Sequence, residues 1–517
     1  MSGEARPSEK GMSTEVNRGL AWIGIASSLV GILDLLAILI ILNNWVDKEQ
    51  YGIATLANWM FPILDQATDL GLSAAVIQRE DHDDAKISTV FWINLMTASA
   101  LFMLLLVFAP LIGAGIYGHA IIGYMLIAYG SKLLWQNVYF IPLAMMKREL
   151  RFKELSIIRI CSNLAEFAGK VGFAAAGFGI WCFVLGPLAR VLVTGIGAQI
   201  CHPWRPKLIL RFTAAKEYVT FGLRTSGSQI LFYMYTNVDY PIVGYFFGPT
   251  ALGVYKLAYE VVLEPVRMIS NVVVDIAFPA FARLRYAKDR LIGQLVSFTK
   301  LNLITVMAYS AVVLVAAPDV LEVFFPKYTS AVDAIRILCI VAVFRSVSFV
   351  VPPMLDGIGY PNRTFVYSLI AAIVLPATFW LGAVLLGDSL GYMSVAVAWA
   401  IGYPIAFAVL IGLALSTLKW TLRGYLGAVG GVALCLIAAA LVAWGVHAIL
   451  PPIPGVRLAI TAVVVVTVTG ALLAYTQNLS IRSAIRAIKG DGDAVLDDPA
   501  PPVEIIPSEP RDDASAR

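Results

Sequence analysis

The sequence predicts an all-helical integral membrane protein of about fourteen transmembrane helices, arranged as two parallel six-helix lobes followed by two C-terminal helices. Three observations carry this prediction. The 517 residues are 59% hydrophobic and only 14% charged, with a mean hydropathy of +0.79. Soluble domains run at about 45–50% apolar and about 25% charged, so this chain has too little polar surface to cover itself in water. The apolar residues fall into segments long enough to cross a bilayer, which takes about 20 residues each. Finally, the second half of the chain repeats features of the first.

The first eighteen residues are polar and lack an apolar stretch ending in a cleavage site, so no signal peptide is expected. Apolar segments follow at 19–42, 52–78, 87–112, 119–146, 156–176, 179–200 and 217–247. Seven more lie at 252–280, 292–316, 331–355, 364–386, 392–416, 425–447 and 456–477. All read as helices, because a barrel would show segments of about ten residues with strict alternation. Lys and Arg orient them. Twenty-five lie in the N-terminus, the even-numbered loops and the tail, against three (Lys48, Lys327 and Arg457) in the odd-numbered loops. Positive residues mark the cytoplasmic side, so both termini are expected there. The resulting division is a cytoplasmic N-terminus (1–18), an N-lobe (19–200), a cytoplasmic linker (201–216), a C-lobe (217–416), two further helices (417–477) and a cytoplasmic tail (478–517). In the tail, Ile481, Ile485 and Ile488 oppose Arg482, Arg486 and Lys489, which suits a membrane surface. The acidic, Pro-rich remainder reads as disordered.

The repeat is loose but ordered. Tyr51-Gly52-Ile53-Ala54-Thr55-Leu56-Ala57 resembles Leu252-Gly253-Val254-Tyr255-Lys256-Leu257-Ala258, 201 residues later. Ile93-Asn94-Leu95-Met96-Thr97 resembles Leu301-Asn302-Leu303-Ile304-Thr305, and Ala109-Pro110 matches Ala317-Pro318, each 208 residues on. Val138, Phe140 and Met145 match Val347, Phe349 and Met354 at 209. Six spans separate the copies, so both point the same way through the bilayer. Parallel repeats about an axis along the membrane normal are a transporter arrangement, with the substrate between the halves.

Against that background, Tyr51-Gly52-Ile53 leading into Asp69-Leu70-Gly71-Leu72-Ser73-Ala74-Ala75-Val76-Ile77-Gln78-Arg79, then Ser88-Thr89-Val90-Phe91-Trp92-Ile93-Asn94-Leu95, resembles the polysaccharide-exporter branch of the multidrug/oligosaccharidyl-lipid/polysaccharide exporter superfamily. Within that branch the chain is similar to Wzx-type flippases of the colanic-acid exporter kind. The resemblance implies a transporter, not an enzyme, moving undecaprenyl-diphosphate-linked oligosaccharide across the bacterial inner membrane by alternating access. The products served would be exopolysaccharide, capsule or lipopolysaccharide. It further implies membrane lipids, a polysaccharide polymerase and chain-length/export proteins as partners. No nucleic-acid partner is expected.

Charges inside spans sharpen the expectation, because each costs about 2.5–3.5 kcal/mol at the bilayer centre on insertion scales. Lys132, Arg190, Arg267 and Arg345 fall near mid-span, and Arg224 and Lys256 nearer the ends. Guanidinium forks match phosphate oxygens two at a time, so these six are the candidate diphosphate-binding residues. Lys256, Glu260, Glu264 and Arg267 stack on one helical face and must meet a wet cavity or partner helices. The competing reading is internal neutralisation: Lys256 with Glu260, Glu264 with Arg267, Glu166 with Lys170. Arg190 and Arg345 have no acid within one turn in sequence.

Acids gather in the first half, with Asp34 in the first span and Asp65 and Asp69 one turn apart in the second. Like charges there repel, and low dielectric favours a neutral carboxyl. One of the three is thus a candidate for coupling to H+ or Na+, against pairing of Asp65 or Asp69 with Lys132, or capping of a helix break by Asp69. Asp239 lies two residues before Pro241, where that proline is expected to disturb the seventh helix, so it could line a hinge or hydrogen-bond the freed backbone; with Glu260 and Glu264 it completes the gating or coupling candidates. No other cofactor is expected. The chain has no GxxxxGK[ST], no HExxH and no CxxC, and Gly427 and Gly431 read as a packing pair. The alternatives are a cation-coupled multidrug exporter, which calls for an acidic cavity, and a membrane glycosyltransferase or polymerase. For the latter, Asp47 and Glu49, or Asp319 and Glu322, would be the outside acids, and neither pair adjoins a loop long enough to fold.

Overall fold

The computed structural model describes residues 29–78, 84–211, 216 and 227–477. The N-terminal segment, Arg224, and the amphipathic and acidic tail lie outside these residues. Among the described residues the protein is helical, without strands. Eight helical stretches among the described residues are long and apolar enough to cross a membrane, accompanied by shorter apolar helices at Leu29–Asn44 and Ala120–Trp135. The chain is a multi-pass membrane protein.

Helix α1 is Leu29–Asn44. The second predicted span is divided into α2 (Lys48–Asn58), α3 (Phe61–Asp69) and α4 (Leu72–Gln78). A capping box starts α2: the Asp47 carboxylate accepts from the Gln50 N–H at 2.8 Å, and the Asp47 N–H donates back to the Gln50 side chain at 3.4 Å. After α3, Leu70 and Gly71 turn left-handed, with φ of 47° and 68°. The Asp69 carboxylate bridges this break by accepting the Ser73 N–H at 3.0 Å, so the capping alternative for Asp69 is realised. Then come α5 (Asp84–Pro110), a span divided into α6 (Ala120–Gly130), α7 (Lys132–Trp135) and α8 (Asn137–Arg148), and the pair α9 (Phe152–Phe173) and α10 (Cys182–Cys201).

In the second half, a helix at 227–237 (α11) leads into α12 (Asp239–Arg283). The disturbance expected near Pro241 is a single-residue turn at Val238. The full break lies at Gly248 (φ 79°, ψ 172°), a conformation open essentially to glycine alone. Pro249 then begins the next helical stretch, where a missing N–H costs nothing. Helices α13 (Lys288–Val315), α14 (Ala317–Phe324), α15 (Val332–Gly357), α16 (Pro361–Leu390), α17 (Met393–Leu418), α18 (Leu422–Ile449) and α19 (Pro454–Gln477) complete the chain. The last two pack on α13 through Ala311, Ala443 and Val465. They are pinned to α14 where buried Asp319 meets His447 at 3.2 Å and Arg457 at 3.9 Å.

Helix α12 is central, packing along α2 of the first half and along α13 and α15 of the second. The α2–α12 contact is backbone on backbone. A Cβ added to Gly52 would sit 1.8 Å from the Pro249 carbonyl oxygen, and one added to Gly253 would sit 1.9 Å from the Lys48 carbonyl oxygen. Each glycine thus meets the carbonyl one helical turn before the other glycine, a reciprocal contact at the 201-residue offset of the repeat. The second matched motif also shows the same local bonding twice: Thr97 donates to the Ile93 carbonyl at 3.0 Å and Thr305 to the Leu301 carbonyl at 3.1 Å. Its asparagines, Asn94 and Asn302, are both buried.

Asn302 donates to the Ser270 hydroxyl at 3.0 Å and the Ser346 carbonyl at 2.7 Å, tying α13 to α12 and α15. Hydrogen bonds between membrane helices average about 0.6 kcal/mol. Asn302→Ala is therefore expected to lower the thermal unfolding midpoint in detergent by a few degrees while keeping the helical circular dichroism spectrum. An unchanged midpoint would show that these bonds do not contribute.

Candidate functional site

The breaks in the second span are not defects. Irregular backbone at membrane depth is tolerated where it lines a cavity or is buried in protein, and Asn58, Phe61, Pro62, Asp65, Gln66 and Asp69 all face a cavity of about 890 Å³. The opposite wall comes from the second half: α11, α12, α15, α16 and α17 contribute Gln229, Tyr233, Asn271, Phe349, Asp356, Thr364, Tyr367 and Tyr403, among others. A smaller space of about 290 Å³ shares Asn58, Pro62, Asn237 and Glu264 with it and extends to Tyr51, Lys170, Lys256 and Glu260.

All four mid-span cations of the sequence, Lys132, Arg190, Arg267 and Arg345, line the large cavity, although they belong to four different spans. The charged stripe on α12 is divided. Glu264 and Arg267 face the large cavity, Lys256 and Glu260 the small one, with Glu264 shared. Arg224 lies outside the described residues.

The cations are not a bare positive patch. Lys132, buried on α7, meets the Asp65 carboxylate at 2.7 Å and lies over the rings of Tyr129 and Phe61. Gln136 holds the other Asp65 oxygen at 3.0 Å. The three internal pairs weighed from the sequence are all present: Lys256 with Glu260 at 2.8 Å, Arg267 with Glu264 at 2.7 Å and Lys170 with Glu166 at 2.7 Å. Arg190 has no acid within one turn in sequence, yet it too is paired. Glu166 reaches it from the neighbouring α9 at 3.2 Å, a pairing invisible to a search within one turn. Asp34 in turn meets Lys170 at 3.3 Å, so Asp34, Lys170, Glu166 and Arg190 form one chain of alternating charge. The large cavity's lining holds as many acids (Asp65, Asp69, Glu264 and Asp356) as cations, but only Asp65 and Glu264 pair with those cations, while Asp69 and Asp356 accept from the Ser73 N–H and the Thr364 hydroxyl.

Arg345 stands apart. It is 3% exposed, and among the described residues no carboxylate lies within ion-pair distance. Its Nη1 donates to the Tyr259 hydroxyl at 2.7 Å, and its guanidinium lies 5.5–6.0 Å from the ring centres of Trp399, Tyr259 and Phe349. An aromatic cage of this kind attracts a cation through the ring quadrupoles while leaving its charge uncancelled. Arg190 and Arg267 remain 49% and 45% exposed in their side chains, so both are open to an incoming anion despite their partners.

Of the acids proposed for coupling or gating, Asp34 and Asp65 are paired with lysines, Asp69 caps α4, and Glu260 and Glu264 neutralise cations on their own helix. Asp239 is fully buried and hydrogen-bonded by side chains from elsewhere rather than by freed backbone: Tyr255 at 2.6 Å and Trp399 at 3.0 Å. Sequence reasoning overlooked the phenols and amides of the cavity wall. The run of Phe232, Tyr233, Tyr235, Thr236 and Asn237 inside an otherwise apolar span is the signal that could have found them.

Comparison with known proteins agrees with this architecture. The profile of a family described as "Polysaccharide biosynthesis protein" matches residues 41–333. Among individual relatives, the teichuronic acid biosynthesis protein TuaB of Bacillus subtilis is 27% identical over 338 residues, covering 65% of this chain and 69% of its own length. The lipopolysaccharide biosynthesis protein WzxC of Escherichia coli is 23% identical over 397 residues, 73% of this chain and 77% of its own. Among solved structures, a lipid II flippase MurJ in an inward closed conformation superposes with a TM-score of 0.70 at 16% identity, covering 89% of this chain and 99% of that one. The resemblance to Wzx-type polysaccharide transporters is thereby borne out. With more than half of its length matched by the family profile, the chain belongs to the polysaccharide biosynthesis protein family.

Proposed function

We propose that this protein is a flippase that carries a diphosphate-linked oligosaccharide lipid from the cytoplasmic to the outer leaflet of a bacterial inner membrane, both its termini being cytoplasmic. The observation that carries the reading is the gathering of Lys132, Arg190, Arg267 and Arg345 from four spans around one cavity between the halves of the chain. Among the described residues, Arg345 is the one of these four cations with no carboxylate within ion-pair distance, which leaves its charge available to an anion. The amide- and phenol-rich wall suits sugar hydroxyls. The matches to proteins named for polysaccharide biosynthesis and to a lipid II flippase support the same reading.

Movement is by alternating access between two six-helix lobes, 19–200 and 217–416, with the last two helices outside the exchange. The closed end is the face bearing the odd-numbered loops. There Gly52 and Gly253 bring the backbones of α2 and α12 together. At the same end Asn43 donates to the Phe324 carbonyl at 2.7 Å, and Lys327 donates to the Leu42 and Asn43 carbonyls at 3.3 and 2.8 Å. Those two carbonyls belong to the last turn of α1, where helix carbonyls lack intrahelical partners. Lys48 lies 5.7 Å from the Tyr328 ring centre. Two of the three outward cations thus join one half of the chain to the other.

Two tests follow. In a strain lacking its own flippase, Arg345→Ala and the charge-neutral double variant Glu264→Gln/Arg267→Gln are expected to reduce surface polysaccharide by about tenfold or more, the loss of one charge-assisted phosphate contact, at unchanged membrane abundance. Normal export by both would refute the anionic-substrate reading, because the double variant leaves no orphaned charge. For the closed end, Gly52→Ala or Gly253→Ala must push α2 from α12. In a cysteine-free background carrying Asn271→Cys in the cavity wall, either alanine should speed labelling by a membrane-impermeant maleimide added outside. Unchanged labelling in both would mean that this contact does not seal the cavity.

A further inference from the structure

The environment of Asp239 explains how an uncancelled cation is held inside the second half of the chain. Two donors from different helices converge on a single Asp239 oxygen, Oδ2: the Tyr255 hydroxyl at 2.6 Å and the Trp399 Nε1–H at 3.0 Å. All three residues are buried. Both groups that meet the carboxylate are donors to Oδ2, and among the described residues Oδ1 has no hydrogen-bond partner, whereas a resident metal cation needs several acceptor oxygens. Among the described residues no cluster of acidic, His or Cys side chains with metal-holding geometry occurs. What the carboxylate does hold is an indole. The face of that indole, 5.5 Å from the Arg345 guanidinium, is one wall of the aromatic cage. Tyr259, which accepts the Arg345 hydrogen bond, lies one turn after Tyr255 on α12.

We propose that Asp239 is a positioning residue for Arg345: it fixes the plane of Trp399, and through that plane the direction in which the guanidinium faces the cavity. An indole fixed only by packing could tilt about its χ2, and tilting it replaces the π face under the cation with the positive ring edge. The hydrogen bond from its N–H to the buried Asp239 oxygen locks the ring at a point away from the cavity. The reach from α12 through α17 to α15 also makes the cage depend on how three helices are packed together. The transport side of this proposal rests on the reading of Arg345 as a substrate contact. The geometric side does not.

The test uses the full-length protein labelled with 5-fluorotryptophan, the Trp399 resonance being assigned by its loss in Trp399→Phe. Asp239→Asn keeps an acceptor oxygen and removes the charge. It should leave the Trp399 fluorine signal in place and retain polysaccharide export. Asp239→Leu should shift or broaden that signal while the other tryptophan signals stay put, and should reduce export to the level of Arg345→Ala. The double variant Asp239→Leu/Arg345→Ala should be no worse than Arg345→Ala alone. Loss of export in Asp239→Asn with an unmoved Trp399 signal would overturn the proposal, because the charge itself would then be at work. Additive losses in the double variant, or an unmoved signal in Asp239→Leu, would overturn it as well. If Arg345→Ala exports normally, the transport reading of Arg345 fails. The fluorine spectra then decide by themselves whether Asp239 holds Trp399.

Discussion

The constraint on which this structure depends is the cost of charge in hydrocarbon. Every Lys or Arg placed inside a span must find a partner, a ring face or water. Lys132 finds Asp65, Lys170 finds Glu166 and Asp34, Arg190 finds Glu166, and Lys256 and Arg267 find acids one turn away. These partnerships dictate which helices stand together. The Asp65–Lys132 pair fixes α3 against α7, and Glu166 fixes α9 against α10. Asp34 ties α1 to the same cluster. Since none of these groups can face lipid, their helices must enclose a common interior, and the cavity is its consequence.

The repeat has a physical counterpart in the way the halves meet. Gly52 and Gly253 occupy equivalent places in the two copies, and each receives the carbonyl four residues before the other. Such a contact is possible only without a Cβ on either side, and close approach of this kind admits Cα–H···O contacts worth about 0.5–1 kcal/mol each. It is therefore tight but not strongly bonded. The joining hydrogen bonds at the same end run mostly to backbone carbonyls from Asn43 and Lys327. A seam of this composition can part without stranding a buried ion pair, which a charged side-chain lock would do.

Much of this was legible in the sequence, for identifiable reasons. Hydropathy located the spans because a bilayer imposes length and composition together. The stripe on α12 was legible because its pairs are local, three or four residues apart. Asp69's capping role could be anticipated because Gly71 follows it. The chain could not reveal pairings between spans: nothing near Arg190 points to Glu166, twenty-four residues earlier, and nothing near Asp239 points to Trp399, 160 residues later. Nor could it show that the four cavity cations share their cavity with as many acids. That balance is a property of helix rotation, which hydropathy does not determine when a span is apolar on several sides.

The near-neutral cavity bears on how a flippase can work at all. A carrier that bound its diphosphate with four unpaired cations would gain affinity in one conformation and in the other alike, and equal affinity for both states shifts no equilibrium. In the proposed cycle, paired cations lessen that problem. An anion reaching Arg267 or Arg190 shares the guanidinium with Glu264 or Glu166, so the net gain is smaller than at a bare cation and release is correspondingly easier. Both arginines have the exposure that such sharing needs, whereas Lys132, buried with Asp65, does not. Arg345, held by rings rather than by a carboxylate, supplies a fixed attraction. Discrimination between states then falls to whether the two halves hold Arg345 and the Arg267–Glu264 pair, on the second half, and the Arg190–Glu166 pair, on the first, within reach of the same diphosphate. Their separation is what parting the Gly52–Gly253 seam would change.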